Sequence, residues 1–246
     1  MSEKIKLEVC VDTTESALIA QEAGAYRIEL CSGLTEGGIT PSPSLITVVR
    51  GLLKIKVYVI IRPRGGDFLY NDQEFEIIKS DVQFCGETGC DGVVVGILNQ
   101  NGSIDKQRCK ELVDIAKKFS MGVTFHRAID RSNDLFEAME DIIELGCERI
   151  LTSGGYDTAW EGMEIIRQLI ERAKDRIIIM PGSGINAENA EILIKRTAAK
   201  ELHGTFKTKY PSKMQYKNTH LKHQNEEYTY TIADADQIRT VCNLKI

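Results

Sequence analysis

Two arginines separated by one proline stand where an apolar run gives way to glycines: Val57-Tyr58-Val59-Ile60 leads into Ile61-Arg62-Pro63-Arg64-Gly65-Gly66-Asp67-Phe68. Residues two apart on an extended segment share a side, and Pro63 resists helix. The pattern therefore predicts Arg62 and Arg64 aimed at one place. Two like charges brought together need an anion between them, because burying an unpaired charge is costly. A small anionic or phosphorylated metabolite is one candidate, and an internal arginine–carboxylate cluster that fixes a loop is the structural alternative.

The other residues with chemistry to offer come in alternating pairs. Glu8 and Cys10 alternate in Leu7–Val11, Glu29 and Cys31 in Arg27–Cys31, and Thr124 and His126 in Gly122–Ala128, so each pair shares one strand face. Glu8 or Glu29 could take a proton, His126 could act as acid and Arg62 could clamp the substrate's charge, a complete acid–base set. Gly182-Ser183-Gly184 stands before Asn186, which reads as a helix start. Backbone N–H groups at such a place, here those of Ser183 and Gly184, hold phosphate in barrels. Cys10 and Cys31 fall at equivalent ends of strands expected to lie about 4.8 Å apart. Two thiolates that close suit Cu(I), with two small core side chains as the alternative. The other cysteines, at 85, 90, 109, 147 and 242, form no CxxC pair and no zinc spacing with histidine.

What must position these groups is a regular alternation of elements. Strands are expected at Leu7–Val11, Arg27–Cys31, Val57 through Arg64, Gly92–Leu98, Gly122–Ala128, Arg149–Gly155, Ile177–Met180 and Glu201–Phe206. Helices follow them, among them Asp72–Thr88, Asp105–Phe119, Leu135–Leu145, Thr158–Ala173, one capped by Asn186 and running to Lys200, and a last one from Ala233 to Val241. Eight strands and eight helices predict an α/β fold, a single-domain (β/α)8 TIM-type barrel over residues 1–246, with an open doubly wound sheet as the competitor. The polar stretch 207–230 reads as a loop segment before the last helix. Glu22–Ile28, Glu87–Val93 and Glu144–Ile150 repeat the same helix stop and strand start, which favours the barrel's regularity.

Composition narrows the function classes. The chain of 246 residues is 42 % hydrophobic and 27 % charged, with net charge −5, the profile of an ordinary globular protein rather than a general nucleic-acid or anionic-membrane binder. Residues 1–12 lack a signal-peptide core and no apolar run reaches the roughly 18 residues of a spanning helix. A cytoplasmic protein with mostly free thiols is expected.

Several motifs together are distinctive: Glu8-Val9-Cys10, Glu29-Leu30-Cys31-Ser32-Gly33 with Glu36–Ser42, Ile61–Phe68, Val123–Ala128, Leu151-Thr152-Ser153-Gly154 and Met180–Ile185. They resemble the CutC copper-homeostasis family, in its animal-type form, over nearly the whole chain. The resemblance implies a TIM-type barrel, cytosolic and in animal members also nuclear, that forms dimers or tetramers and binds Cu(I). It implies Cys10 and Cys31 as the copper ligands. It departs around the eighth strand, where Gly204-Thr205 follows His203 and family members often carry a serine.

Overall fold

The computed structural model describes residues 4–218, 220 and 228–245. Eight parallel strands, β1 (Lys6–Val11), β2 (Arg27–Leu30), β3 (Lys56–Ile60), β4 (Gly92–Val95), β5 (Gly122–Phe125), β6 (Arg149–Thr152), β7 (Ile178–Pro181) and β8 (Glu201–Gly204), form one sheet. Its order is β7-β6-β5-β4-β3-β2-β1-β8, with β7 lying against β8 at the seam. This is a (β/α)8 barrel. The strands are short and buried on both faces because helices cover the outside and side chains fill the inside.

The helices are α1 (Thr14–Glu22), α2 (Pro43–Leu52), α3 (Asp72–Glu87), α4 (Lys106–Lys118), α5 (Leu135–Leu145), α6 (Met163–Ala173), α7 (Ala190–Thr197) and α8 (Ala235–Cys242). Their starts follow from local chemistry. Ser42 caps α2, whose first residue is Pro43, and Asp134 caps α5, which Gly146 ends in the left-handed region. At α3 the Asn71 side chain accepts from the Glu74 N–H at 2.9 Å while Glu74 accepts from the Asn71 N–H at 2.9 Å. Asn71→Ala should cost about 1 kcal/mol, read as a lowered urea midpoint with unchanged steepness. Among the described residues no helix is long and apolar enough to cross a membrane.

Four expectations are corrected. β3 stops at Ile60 and β5 at Phe125: the last ladder bonds there are Ile61 N–H to Val94 O and His126 N–H to Val95 O, after which the chain turns. Arg62, Arg64 and His126 thus lie on loops at the mouth, where strand alternation no longer fixes direction. The helix expected from Thr158 starts at Met163, because Thr158 and Glu161 close a separate turn first. Asn186 heads a turn, accepting from the Glu188 and Asn189 N–H groups, and α7 begins only at Ala190.

The fourth correction concerns the polar stretch. Lys207–Pro211 forms β9 and pairs antiparallel with β10 (Thr229–Ala233), with Tyr210 opposite Tyr230 and their rings 5.7 Å apart. Every β9 residue is exposed, so no buried face writes an alternation into the sequence. The hairpin is tied to the barrel where the Ala233 N–H donates to Ser16 Oγ at 3.1 Å. Residues 219 and 221–227 of that stretch lie outside the described residues.

Candidate functional site

Inside the barrel, alternate residues of each strand stack in layers, and the layer nearer the strand starts is charged. Arg27 on β2, 1 % exposed, donates from Nε to Glu8 on β1 and from Nη2 to Glu201 on β8 at 2.8 Å. Arg149 on β6 donates to Glu201 at 2.6 Å and to Glu148 at 2.8 Å. Tyr58 on β3 lies across this layer beneath the Arg27 guanidinium, 5.0 Å from its ring centre, and donates to Glu148. It fits because β4 and β5 start with glycines: a Cβ at Gly92 or Gly122 would come 2.2 Å from the tyrosine. Burial pushes the Glu8 carboxyl up, but Arg27, His203 and Arg149 together hold it well below the usual carboxylate range. Glu8 is therefore a buried anion locked in an ion-pair network, one layer below the mouth, and not a free base.

The next layer up is where polar groups meet open space. Cys10 sits beside Glu29 in the β1–β2 register, and Glu8 beside His203 in the β1–β8 register. His203 Nδ1–H donates to Glu8 Oε1 at 2.8 Å, since an ionised carboxylate can only accept. Its Nε2 faces Glu29 Oε2 at 3.6 Å. Glu29 Oε1 is buried and has no hydrogen-bond partner among the described residues. Burial, with Glu8 adding to it, raises the Glu29 pKa against the opposing pull of His203. Burial lowers that of His203, but Glu29 and Glu8 outweigh it and leave it raised. Cys10 Sγ lies 3.4 Å from Cys31 Sγ, and Cys31 also donates to Val11 O at 3.3 Å. The Cys31 contact, burial and the Glu29 charge all push the Cys10 thiol up.

Above this layer opens a cavity of about 250 Å³ lined by Cys10, Glu29, Arg62, His126, Ser183, Gly184 and His203 among others. The structure thus brings most of the expected residues to one mouth, with exceptions. Cys31 is fully buried beside Cys10 and does not line the cavity. Arg64 points away from it, bonded to Glu74 at 2.6 Å and Asp67 at 3.1 Å at the start of α3. The expected pair of converging guanidiniums is not formed, because the backbone has left the strand before either residue. Arg62 does face the cavity, but its Nη1 donates to the Glu36 and Gly38 carbonyls and its Nη2 to that of Gly66, and among the described residues Nε is the guanidinium nitrogen left without a partner. It clamps the two loops that follow β2 and β3. Ser183 Oγ donates to the Asp157 carbonyl at 2.7 Å. Of the groups expected to bind an anion, Arg62 and Ser183 have their donors largely satisfied within the protein.

His126 sits at the end of β5, over Gly96, where any Cβ would come 2.6 Å from the imidazole. Its Nδ1 accepts from the Ala128 N–H at 3.2 Å, so the ring proton is on Nε2, and Nε2 has no partner among the described residues. Burial and the Arg62 charge lower its pKa to about 3. It can donate a hydrogen bond into the cavity as a neutral imidazole, not as an imidazolium acid.

Several working residues were not singled out from the sequence. Arg27, Arg149 and Glu201 each stand two positions before a mouth residue on the same strand, so carrying the alternation one step back would have found them. Asp130 is different. Its carboxylate collects Arg127 at 2.8 Å, the Ser153 and Gly155 N–H groups and the Thr152 and Ser153 hydroxyls, bracing the mouth between β5 and β6. It lies in a five-residue 3-10 helix with no periodicity to reveal it.

Comparison with known proteins agrees over the same residues. The CutC family matches residues 5–208. Proteins named copper homeostasis protein cutC homolog from Mus musculus and Homo sapiens are each 44 % identical over 239 residues, covering 96 % of this chain and 87 % of theirs. The crystal structure of the putative copper homeostasis protein CutC from Streptococcus agalactiae superposes with a TM-score of 0.78 at 35 % identity, over 82 % of this chain and 98 % of that one. A barrel with this layered interior, matched along almost its entire length, belongs to the CutC family.

Proposed function

We propose that this chain serves in copper homeostasis by holding Cu(I) at the floor of the barrel mouth, with Cys10 and Cys31 as sulfur ligands. The observation that carries the reading is the pair of buried sulfurs 3.4 Å apart, one of them exposed to the cavity. Thiolates are the ligands a soft monovalent cation selects, and the neighbouring strands β1 and β2 bring the two sulfurs side by side at their ends. The names of the mouse and human relatives support the same role. Because the Cys10 thiol is pushed up, metal binding must displace protons and strengthens as pH rises.

The test is competition for Cu(I) against a chromophoric chelator under reducing, oxygen-free conditions. Wild type should hold one Cu(I), and Cys10→Ser with Cys31→Ser should abolish that binding while the circular dichroism spectrum stays native. A double variant that competes as well as wild type would refute the assignment.

A further inference from the structure

We infer that the mouth contains a second, harder donor set, Cys10 Sγ, Glu29 Oε2 and His203 Nε2, which binds a divalent cation of the zinc class and leaves one coordination position open to the cavity. A ligand atom from each of the three residues lies within 4.8 Å of those of the other two, and all three are buried. They come from adjacent strands β1, β2 and β8, so their spacing is fixed by the barrel.

Three observations point to a cation rather than to packing. His203 Nε2 and Glu29 Oε2 are 3.6 Å apart, too far for a hydrogen bond. Two ligands each about 2.1 Å from a tetrahedral ion are separated by about 3.4 Å, so the gap is that of a shared metal. Glu29 Oε1 is buried without a hydrogen-bond partner among the described residues, a costly state for a carboxylate that a cation would relieve. Finally, His203 donates through Nδ1 to Glu8, itself held by Arg27, so Nε2 is the ring atom turned towards Cys10 and Glu29, where a cation displaces its proton. A carboxylate behind the histidine is the usual support of a metal-binding imidazole.

Charge separates this set from the copper pair. A divalent ion between one thiolate and one carboxylate is neutral overall, whereas Cu(I) between two thiolates leaves an extra negative charge beside Glu29. Mixed nitrogen, oxygen and sulfur donors suit borderline divalent ions, and sulfur pairs suit Cu(I). Three protein ligands with a fourth position free is the pattern of zinc sites that bind water or a small anion. Here that position faces a cavity that Arg62 and His126 also line. The inference meets the copper reading only in sharing Cys10, so the two metals compete.

The experiment titrates reduced apoprotein separately with Zn²⁺ against a chromophoric chelator and with Co²⁺ followed by its visible spectrum, alongside Cu(I). Wild type should bind one Zn²⁺, and the Co²⁺ form should show thiolate charge transfer. Losing even a supporting partner of a ligand costs about 10–100-fold in affinity, so Glu29→Gln and His203→Gln should each weaken Zn²⁺ at least about tenfold while Cu(I) changes far less. Cys31→Ser should do the reverse, and Cys10→Ser should lose both metals. If His203→Gln fails to fold because Glu8 loses its partner, the isosteric Glu29→Gln decides alone. No Zn²⁺ bound by wild type, or wild-type Zn²⁺ affinity in Glu29→Gln, overturns the inference, and neither result touches the copper arm.

Discussion

Arg27→Met is expected to lower folding stability by roughly 3–5 kcal/mol, the range seen when one partner of a buried ion pair is removed. The methionine keeps the apolar stem and would lie beside Met180, whose sulfur the guanidinium now touches at 3.4 Å, so lost packing is not the cause. The cause is charge. Arg27 joins Glu8 to Glu201, both almost fully buried, and without it Arg149 still reaches Glu201 while Glu8 keeps His203 as its one hydrogen-bonded partner among the described residues, with Arg149 acting through its charge alone. An ionised carboxylate would be left in the barrel interior with half its compensation gone. The control is Arg167 on α6, which bonds Glu164 and Glu171 in open solvent. Replacing it should change stability little, because water already screens exposed pairs. Urea unfolding at pH 7, followed by circular dichroism, compares the two. Equal midpoints for the two variants would mean that the interior network is no more than a surface salt bridge turned inwards.

The contrast between those arginines also explains what could be read in advance. Strand alternation is written by a face that must be buried, so Glu8, Cys10 and Glu29 were placeable from spacing, and with them the barrel's interior. Once the ladder ends, direction is set by tertiary hydrogen bonds that spacing does not encode. Arg62 turns inwards because the Glu36, Gly38 and Gly66 carbonyls receive it, and Arg64 turns outwards because Glu74 and Asp67 do. Asp130 and β9 were illegible for the same reason: neither belongs to a buried periodic face. The family motifs marked which loops matter but not which groups on them are already satisfied. The neutral state of His126 is a case in point, since it depends on burial and on Arg62 folding back across the loops.

That neutrality sets the pH dependence. His126 has a pKa of about 3 in the fold, lowered by burial and by Arg62, against an ordinary 6.5. Between those values the unfolded chain carries a proton that the folded chain refuses, so this group's contribution is complete above pH 6.5 and is lost as pH falls towards 3. At about 1.4 kcal/mol per pH unit, acidification from pH 6.5 to 4 should remove about 3 kcal/mol through this residue alone. Asn at 126 could still accept the Ala128 N–H that Nδ1 accepts now, capping the turn without a titratable ring. Asn leaves a gap beside Phe68, whose ring centre is 4.8 Å from that of His126, so His126→Asn should be less stable at pH 7. The deficit should shrink by about 3 kcal/mol by pH 4 as the wild type loses what the variant never had. Glu8 and Glu201, lowered in the fold, lose their contribution only below the ordinary carboxylate range near 4.5, and Glu29 and His203, both raised, act in the opposite direction to His126. All four remain in both proteins, so they largely cancel in the difference. Stability curves for wild type and His126→Asn that run parallel from pH 7 to 4 would show that the folded imidazole takes up its proton at the ordinary value of 6.5, so that below it the Nε2–H would enter the cavity as part of a cation rather than as a neutral donor.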